Sequence, residues 1–247
     1  MMPRYFFDLC LGTLLCAASI IVLLPGGALA NIIDATYGVG AGSFERGNFI
    51  DGDGSAGGGL NFMGLAPGDA TVTGWTVGGP GDGVDWLTTP FYRAADGSHA
   101  LDLKHTQNSS ISTVIPTVPG HEYVLSFTAA AGFMVDVGRP TDNIGAVSAG
   151  SLVNQLFEVP LSPVSSNDFS AQVFTTFSLL FTATGPTTTI EFNAISDVSP
   201  VDRRYGPAID SVIVVSADVH EPSTMLLFGA GLTCMIGVVL RQRYSQR

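Results

Sequence analysis

A period of two that recurs between turns is the feature that most constrains the fold. Tyr123, Leu125 and Phe127 share one parity after a Pro119-Gly120 turn. Val173, Thr175, Phe177, Leu179 and Phe181 share another, and Thr188, Ile190 and Phe192 follow a Gly185-Pro186 turn. Ile209, Ser211, Ile213 and Val215 form the last such run. Successive side chains of a strand point to opposite faces, so each run reads as a half-buried strand. Thr, Val, Ile and Phe suit that pleated surface. Gly, Pro, Ser and Thr interrupt the runs at short intervals, and long helical periodicity is absent. The expectation is an all-β fold, a single jelly-roll or β-sandwich domain. Two stretches are weakly patterned. Residues 48–64 are glycine-rich and expected to be an irregular surface loop. Residues 143–169 hold one apolar piece, 152–157, that reads as a strand or a helical turn.

The two ends have a different character. Residues 1–30 carry Arg4, an apolar stretch from Leu9 to Leu24, and Ala28-Leu29-Ala30 before Asn31. That pattern reads as a signal peptide helix cleaved between Ala30 and Asn31. At the other end, Met225 to Leu240 is an uncharged apolar run, followed by Arg241, Arg243 and Arg247. With Ser223 and Thr224 it is expected to form a transmembrane helix over 223–240. Its 16 apolar residues rise about 24 Å as a helix, and an arginine that snorkels makes up the missing thickness. Arginines beyond the helix place the C-terminus in the cytoplasm and the body outside. The expected order is signal peptide 1–30, β-sandwich 31–218 and membrane tail 219–247.

Composition limits what the body can contact. All three cysteines, Cys10, Cys16 and Cys234, lie in the ends, so the body has no disulfide to hold it. Between Asn31 and His220 there are 19 Asp and Glu against 6 Lys and Arg, a net of −13. Such a surface repels nucleic acid and anionic lipid. It is compatible with bound cations and with a neutral polysaccharide.

The tail, with Glu221-Pro222-Ser223-Thr224, the run Leu226-Leu227-Phe228-Gly229-Ala230-Gly231-Leu232 and the arginines, resembles the PEP-CTERM sorting signal of exported bacterial proteins. His220 stands in place of that signal's first proline. The resemblance implies recognition by an exosortase, with Glu221, Pro222, Arg241 and Arg243 carrying the signal. It places the mature protein at the cell envelope, the cell surface or the extracellular matrix. The alternative is a plain C-terminal membrane anchor.

Phrases through the body resemble the choice-of-anchor C family, whose module is similar to galactose-binding-like jelly rolls. They include Gly42-Ser43-Phe44-Glu45, Thr73-Gly74-Trp75-Thr76-Val77, Val84-Asp85-Trp86, Ala95-Asp96-Gly97-Ser98 and Tyr205-Gly206-Pro207-Ala208-Ile209-Asp210. The resemblance implies a carbohydrate- or matrix-binding role. It also implies a structural Ca²⁺ between Glu45 and Asp210, with Asp96 as a further ligand.

The sequence holds no Gly-x-Ser-x-Gly elbow, no His-Glu-x-x-His and no P-loop, and its histidines lack zinc-ligand spacing. Asp51-Gly52-Asp53-Gly54-Ser55 opens like an EF-hand loop, but Ala56 and Phe62 occupy the glycine and glutamate positions that such a loop needs. No enzyme is expected, although a carboxylate pair for glycan hydrolysis remains open at this level. Trp75 and Trp86 offer the largest faces for stacking on a sugar ring, yet each also sits in an apolar alternation that suits a core. Tyr92, Arg93 and Tyr205 are further candidates for ligand contact. A carbohydrate-binding module, a purely structural surface protein and a hydrolase all stay in play.

Overall fold

Asn31 opens the folded body by tying three pieces of chain together. Its side chain accepts the Ile33 N–H at 3.2 Å and so caps α1 (Ile32–Tyr37). The same oxygen accepts the Val214 N–H, and its amide donates to the Val212 carbonyl. The start of the domain is thereby fixed to its last strand.

Eleven strands follow in the computed structural model, which describes residues 30–50, 62–89, 92–131, 144–160, 172–195 and 206–217. They are β1 (Phe62–Leu65), β2 (Thr76–Gly78), β3 (Val84–Thr88), β4 (His99–Asp102), β5 (Ser110–Pro116) and β6 (Glu122–Ala130). Then come β7 (Ile144–Ala149), β8 (Leu152–Glu158), β9 (Thr175–Thr182), β10 (Thr187–Ala194) and β11 (Ala208–Ser216). Six form one sheet in the order β1-β3-β4-β11-β6-β9, and five form the other in the order β2-β5-β10-β7-β8. Every pairing is antiparallel. The expected all-β sandwich is the architecture found, within a unit spanning Leu29–Asp218.

The two sheets meet over an aromatic core. Trp86, Leu101, Ile209 and Ala129 form one inward row across the six-stranded sheet, and all are buried. Ile111, Phe192 and Val147 form the facing row of the five-stranded sheet. Phe127 bridges the layers, with its ring centroid 4.9 Å from Phe192 and 5.0 Å from Phe157. Edge-to-face packing of this kind adds to the area the rings bury.

The alternation reads correctly on β6, where Tyr123, Leu125 and Phe127 are buried, and on β10, where Thr188, Ile190 and Phe192 are. It misreads β11. There Ile209 is inside, but Val212 and Val214 continue the core while Ile213 is 43% exposed. A bulge between Asp210 and Ile213, with Ser211 at φ 51°, inserts one residue and reverses the parity. The expected loop over 48–64 also runs too far, because residues 62–65 form β1. Residues 152–157 lie in β8, so that segment is a strand.

The expected signal helix and membrane helix lie outside the described residues. So do Glu221, Pro222, Arg241 and Arg243. Among the described residues no helix is long and apolar enough to cross a membrane. Of the leader only Ala30 is described, and it is exposed.

Candidate functional site

Two distant carboxylates grip one loop. Glu45 follows α1 in a turn where Phe44 takes a φ of 58°, and Asp210 lies on β11 before its bulge. Between them runs Ala95-Asp96-Gly97-Ser98-His99, the loop that enters β4. Asp210 Oδ2 accepts the backbone N–H groups of Ala95 at 2.7 Å and Asp96 at 2.9 Å. Its Oδ1 accepts the N–H of Ser211 at 2.6 Å. Glu45 Oε1 accepts the N–H groups of Ser98 at 2.8 Å and His99 at 2.6 Å. Glu45 Oε2 meets the Ser98 hydroxyl and His99 Nδ1, both at 2.9 Å. Gly97 turns the loop at φ 68°, and a Cβ there would lie 2.5 Å from Glu45 Oε1. Close approach and a left-handed backbone both demand glycine.

The electrostatics of the two acids differ. Burial pushes the Asp210 carboxyl up to about 7, against the pull of the Asp96, Ser211 and Ala95 amides. Burial also pushes Glu45 up, but hydrogen bonds from His99 and Ser98 outweigh it and hold the group below its ordinary value.

This geometry does not fit the expected shared calcium. Ca²⁺ takes six to eight oxygen ligands. Here both Glu45 oxygens and Asp210 Oδ2 each face two donors, and Asp210 Oδ1 faces one. Asp96 joins the arrangement through its backbone amide rather than as a converging carboxylate. Among the described residues no group of three or more metal-binding side chains comes together. The residues fit an N–H clamp that ties the first segment to the last strand.

A second carboxylate pair lies on the outward face of the six-stranded sheet. Asp85 and Asp102 are cross-strand partners on β3 and β4. Asp85 Oδ1 sits 2.7 Å from His105 Nδ1. Asp102 Oδ1 accepts the N–H groups of Lys104 and Gly206. Burial, then the charge of Asp85, raise the Asp102 carboxyl well above its ordinary range, and burial raises Asp85 too. With Asp102 2% exposed, the pair does not open onto a cleft of the kind a glycan-cleaving dyad needs.

The aromatic candidates require correction. Trp75 and Trp86 are each 1% exposed, and so is Tyr92. Trp75 Nε1 donates to the Ala41 carbonyl at 2.8 Å and Trp86 Nε1 to the Phe44 carbonyl at 3.1 Å. Tyr92 covers a small cluster with Leu87, Ala100 and Ala208, and its hydroxyl donates to the Ala131 carbonyl. Both faces of each ring are spent on packing, so none is a stacking platform for a sugar. Arg93 is exposed, and Tyr205 lies outside the described residues.

Among the described residues an open concavity lies on the other sheet. A groove of about 350 Å³ runs over the outward face of β10, β7 and β8. Its lining includes Thr184, Thr187, Thr189 and Glu191 with Ser148 and the exposed Val153. Thr187, Thr189 and Glu191 share the outward parity of β10, opposite to the buried Thr188, Ile190 and Phe192. They repeat roughly every 7 Å along the strand. Glu191 pairs in register with Ser112 on β5 and Ser148 on β7. The Ser148 hydroxyl is shared with Asn154, whose N–H it accepts at 3.0 Å. Among the described residues nothing in the protein bonds to the hydroxyls of Thr184, Thr187 and Thr189 or to the Glu191 carboxylate. The sequence signal for this site was the polar half of the β10 alternation.

Comparison with known proteins gives two family matches. A family described as "Protein of unknown function (DUF642)" matches residues 42–215, and the PEP-CTERM protein-sorting motif matches residues 221–243. The body's match bears that description rather than the choice-of-anchor C name. No curated protein matches the chain. Solved structures with a similar fold include a family 35 carbohydrate binding module from Clostridium thermocellum, at 13% identity and TM-score 0.37, covering 63% of this chain and 98% of that one. Another is TmCBM61 in complex with beta-1,4-galactotriose, at 13% identity and TM-score 0.39, covering 76% and 99%. A third is the Arthrobacter globiformis T6 isomalto-dextranase complexed with panose, at 8% identity and TM-score 0.35, covering 63% of this chain and 23% of that one.

Proposed function

The chain belongs to the DUF642 family and carries a PEP-CTERM sorting motif, and from that premise we propose that it is an exported, non-catalytic glycan-binding module of the cell surface or extracellular matrix. The observation that carries this reading is the hydroxyl-lined groove on the five-stranded sheet. Sugars are bound through hydrogen bonds as well as stacking, and a strand face that repeats Thr187, Thr189 and Glu191 supplies both donors and acceptors. Val153, exposed at the rim, adds an apolar patch for the less polar face of a pyranose ring. The rigid sandwich holds these groups in place before a ligand arrives, which lowers the ordering cost of binding.

The sorting motif supports delivery through an exosortase, with the body on the outer side of the membrane and a transient membrane association through the tail. A structural Ca²⁺ draws no support from the Glu45 and Asp210 geometry, whose oxygens face backbone amides, the Ser98 hydroxyl and His99 Nδ1.

The test is a glycan array probed with the full chain in detergent. Retention on one or more neutral polysaccharides is the expected result. An array with no signal above background would leave a purely structural surface protein as the better reading.

A further inference from the structure

The groove has a charge pattern that narrows its ligand. The five-stranded sheet contains no Lys, Arg or His on any of its strands. Its carboxylates are Glu191, at the centre of the outward face, and Glu158, at the end of the edge strand β8. Glu191 is flanked in register by two serines, and among the described residues no cation or donor pairs with it. It is half-buried, so it is only partly screened by water. An acid placed among hydroxyls without a partner is a site for a ligand that brings its own positive charge.

Building on the glycan-binding reading, we propose that the groove selects amino sugars, with the Glu191 carboxylate accepting a charge-assisted hydrogen bond from a free hexosamine ammonium. The neighbouring Thr187, Thr189 and Ser148 hydroxyls serve the ring hydroxyls of the same chain. Uronate- or sulfate-bearing polysaccharides are disfavoured twice, by Glu191 and by the net charge of −11 of the whole protein. A charged hydrogen bond is stronger than a neutral one, so deacetylation of the ligand is expected to tighten binding about tenfold. A lysine-rich peptide carries the same ammonium but lacks hydroxyls to meet the threonines, which favours the sugar.

The experiment is calorimetric titration of the full chain in detergent at fixed moderate salt. The probes are a glucosamine hexamer, an N-acetylglucosamine hexamer, cellohexaose and hexalysine. The glucosamine hexamer is expected to bind about tenfold tighter than its acetylated form. Glu191→Gln is expected to erase that ratio. Glu158→Gln, on the edge strand, is expected to keep the ratio. A ratio that survives Glu191→Gln, or that both variants reduce equally, overturns the assignment. So does hexalysine binding that depends on Glu191 and exceeds that of the glucosamine hexamer. Binding of the neutral oligomers without any preference overturns the amino-sugar inference and leaves the groove reading standing. Absence of binding by every oligomer overturns both.

Discussion

Glu45 and Asp210 hold opposite ends of the same loop. Asp210 takes the amides of Ala95 and Asp96, and Glu45 takes those of Ser98 and His99. The pair closes the domain by joining the segment after α1, the entry to β4 and the last strand. A sandwich without thiols in its body is fastened here by hydrogen bonds from backbone amides to two carboxyl groups.

The first consequence concerns the clamp itself. Asp210→Ala removes the acceptor for three backbone N–H groups in a buried setting. The expected cost is about 2–4 kcal/mol, a fall of roughly 5–10 °C in the unfolding midpoint for a domain of this size. Thermal unfolding followed by circular dichroism checks it. A midpoint within about 1 °C of the unmodified protein would show that the clamp contributes little to stability.

Calcium separates the clamp from a metal site. A bound ion would raise the midpoint by mass action, by about 2.7 kcal/mol when its concentration is 100 times the dissociation constant. With amides in its place, the midpoint is expected to be the same in millimolar Ca²⁺ and in EDTA. A clear rise with Ca²⁺ that Asp210→Ala abolishes would restore the metal.

Gly97 is the weak point of the loop. At φ 68° and with Glu45 Oε1 2.5 Å from the position of a Cβ, Gly97→Ala combines backbone strain with a clash. The expected loss is about 1–3 kcal/mol. Gly68, also at positive φ but with open space around it, is the control, and Gly68→Ala should cost less than Gly97→Ala.

The two acids impose opposite pH dependences. The Asp210 carboxyl is raised from 3.8 to about 7, so its folded form favours the proton. Its contribution is fully present below the unfolded value and is lost as pH rises towards 7. The Glu45 carboxyl lies below its ordinary 4.5, so its contribution is present above that value and is lost as pH falls through it. Stability is therefore expected to rise on acidification from pH 8 to about 5 and to fall again below about 4. Asp210→Asn should make the upper limb shallower, the remainder coming from Asp85 and Asp102, which burial also raises, and denaturant titrations across this range measure it.

Much of the fold was legible in the sequence, and the failures have physical causes. Tyr123, Leu125 and Phe127 read correctly because β6 is regular. The β11 run failed because Ser211 enters a bulge, which alternation has no means of showing. Trp75 and Trp86 sat in apolar alternations that suited a core equally well, and only the tertiary packing decided between core and ligand. Glu45 and Asp210 bond the same loop, through backbone amides of Ala95, Asp96, Ser98 and His99 that no sequence pattern announces. The polar half of the β10 alternation, Thr187, Thr189 and Glu191, marks only an outward strand face, and a solvated face and a binding face have the same period.

Trp75 offers a control on where binding occurs. Trp75→Phe loses the hydrogen bond to the Ala41 carbonyl and some core volume, for an expected cost of about 1–3 kcal/mol. Because the ring is buried on the far side of the sheet from the groove, glycan affinity of the folded variant should stay within about twofold, as read by calorimetry.

The most direct measurement compares the wild-type chain with Thr189→Trp on whichever polysaccharide the array identifies. Thr189 is exposed on β10 and lines the groove, so a bulky ring there fills the site with little demand on the core. Affinity electrophoresis at equal protein loading should show retardation of the wild type and none of the variant, with the same unfolding midpoint for both. Equal retardation of the two proteins would contradict a binding site in this groove.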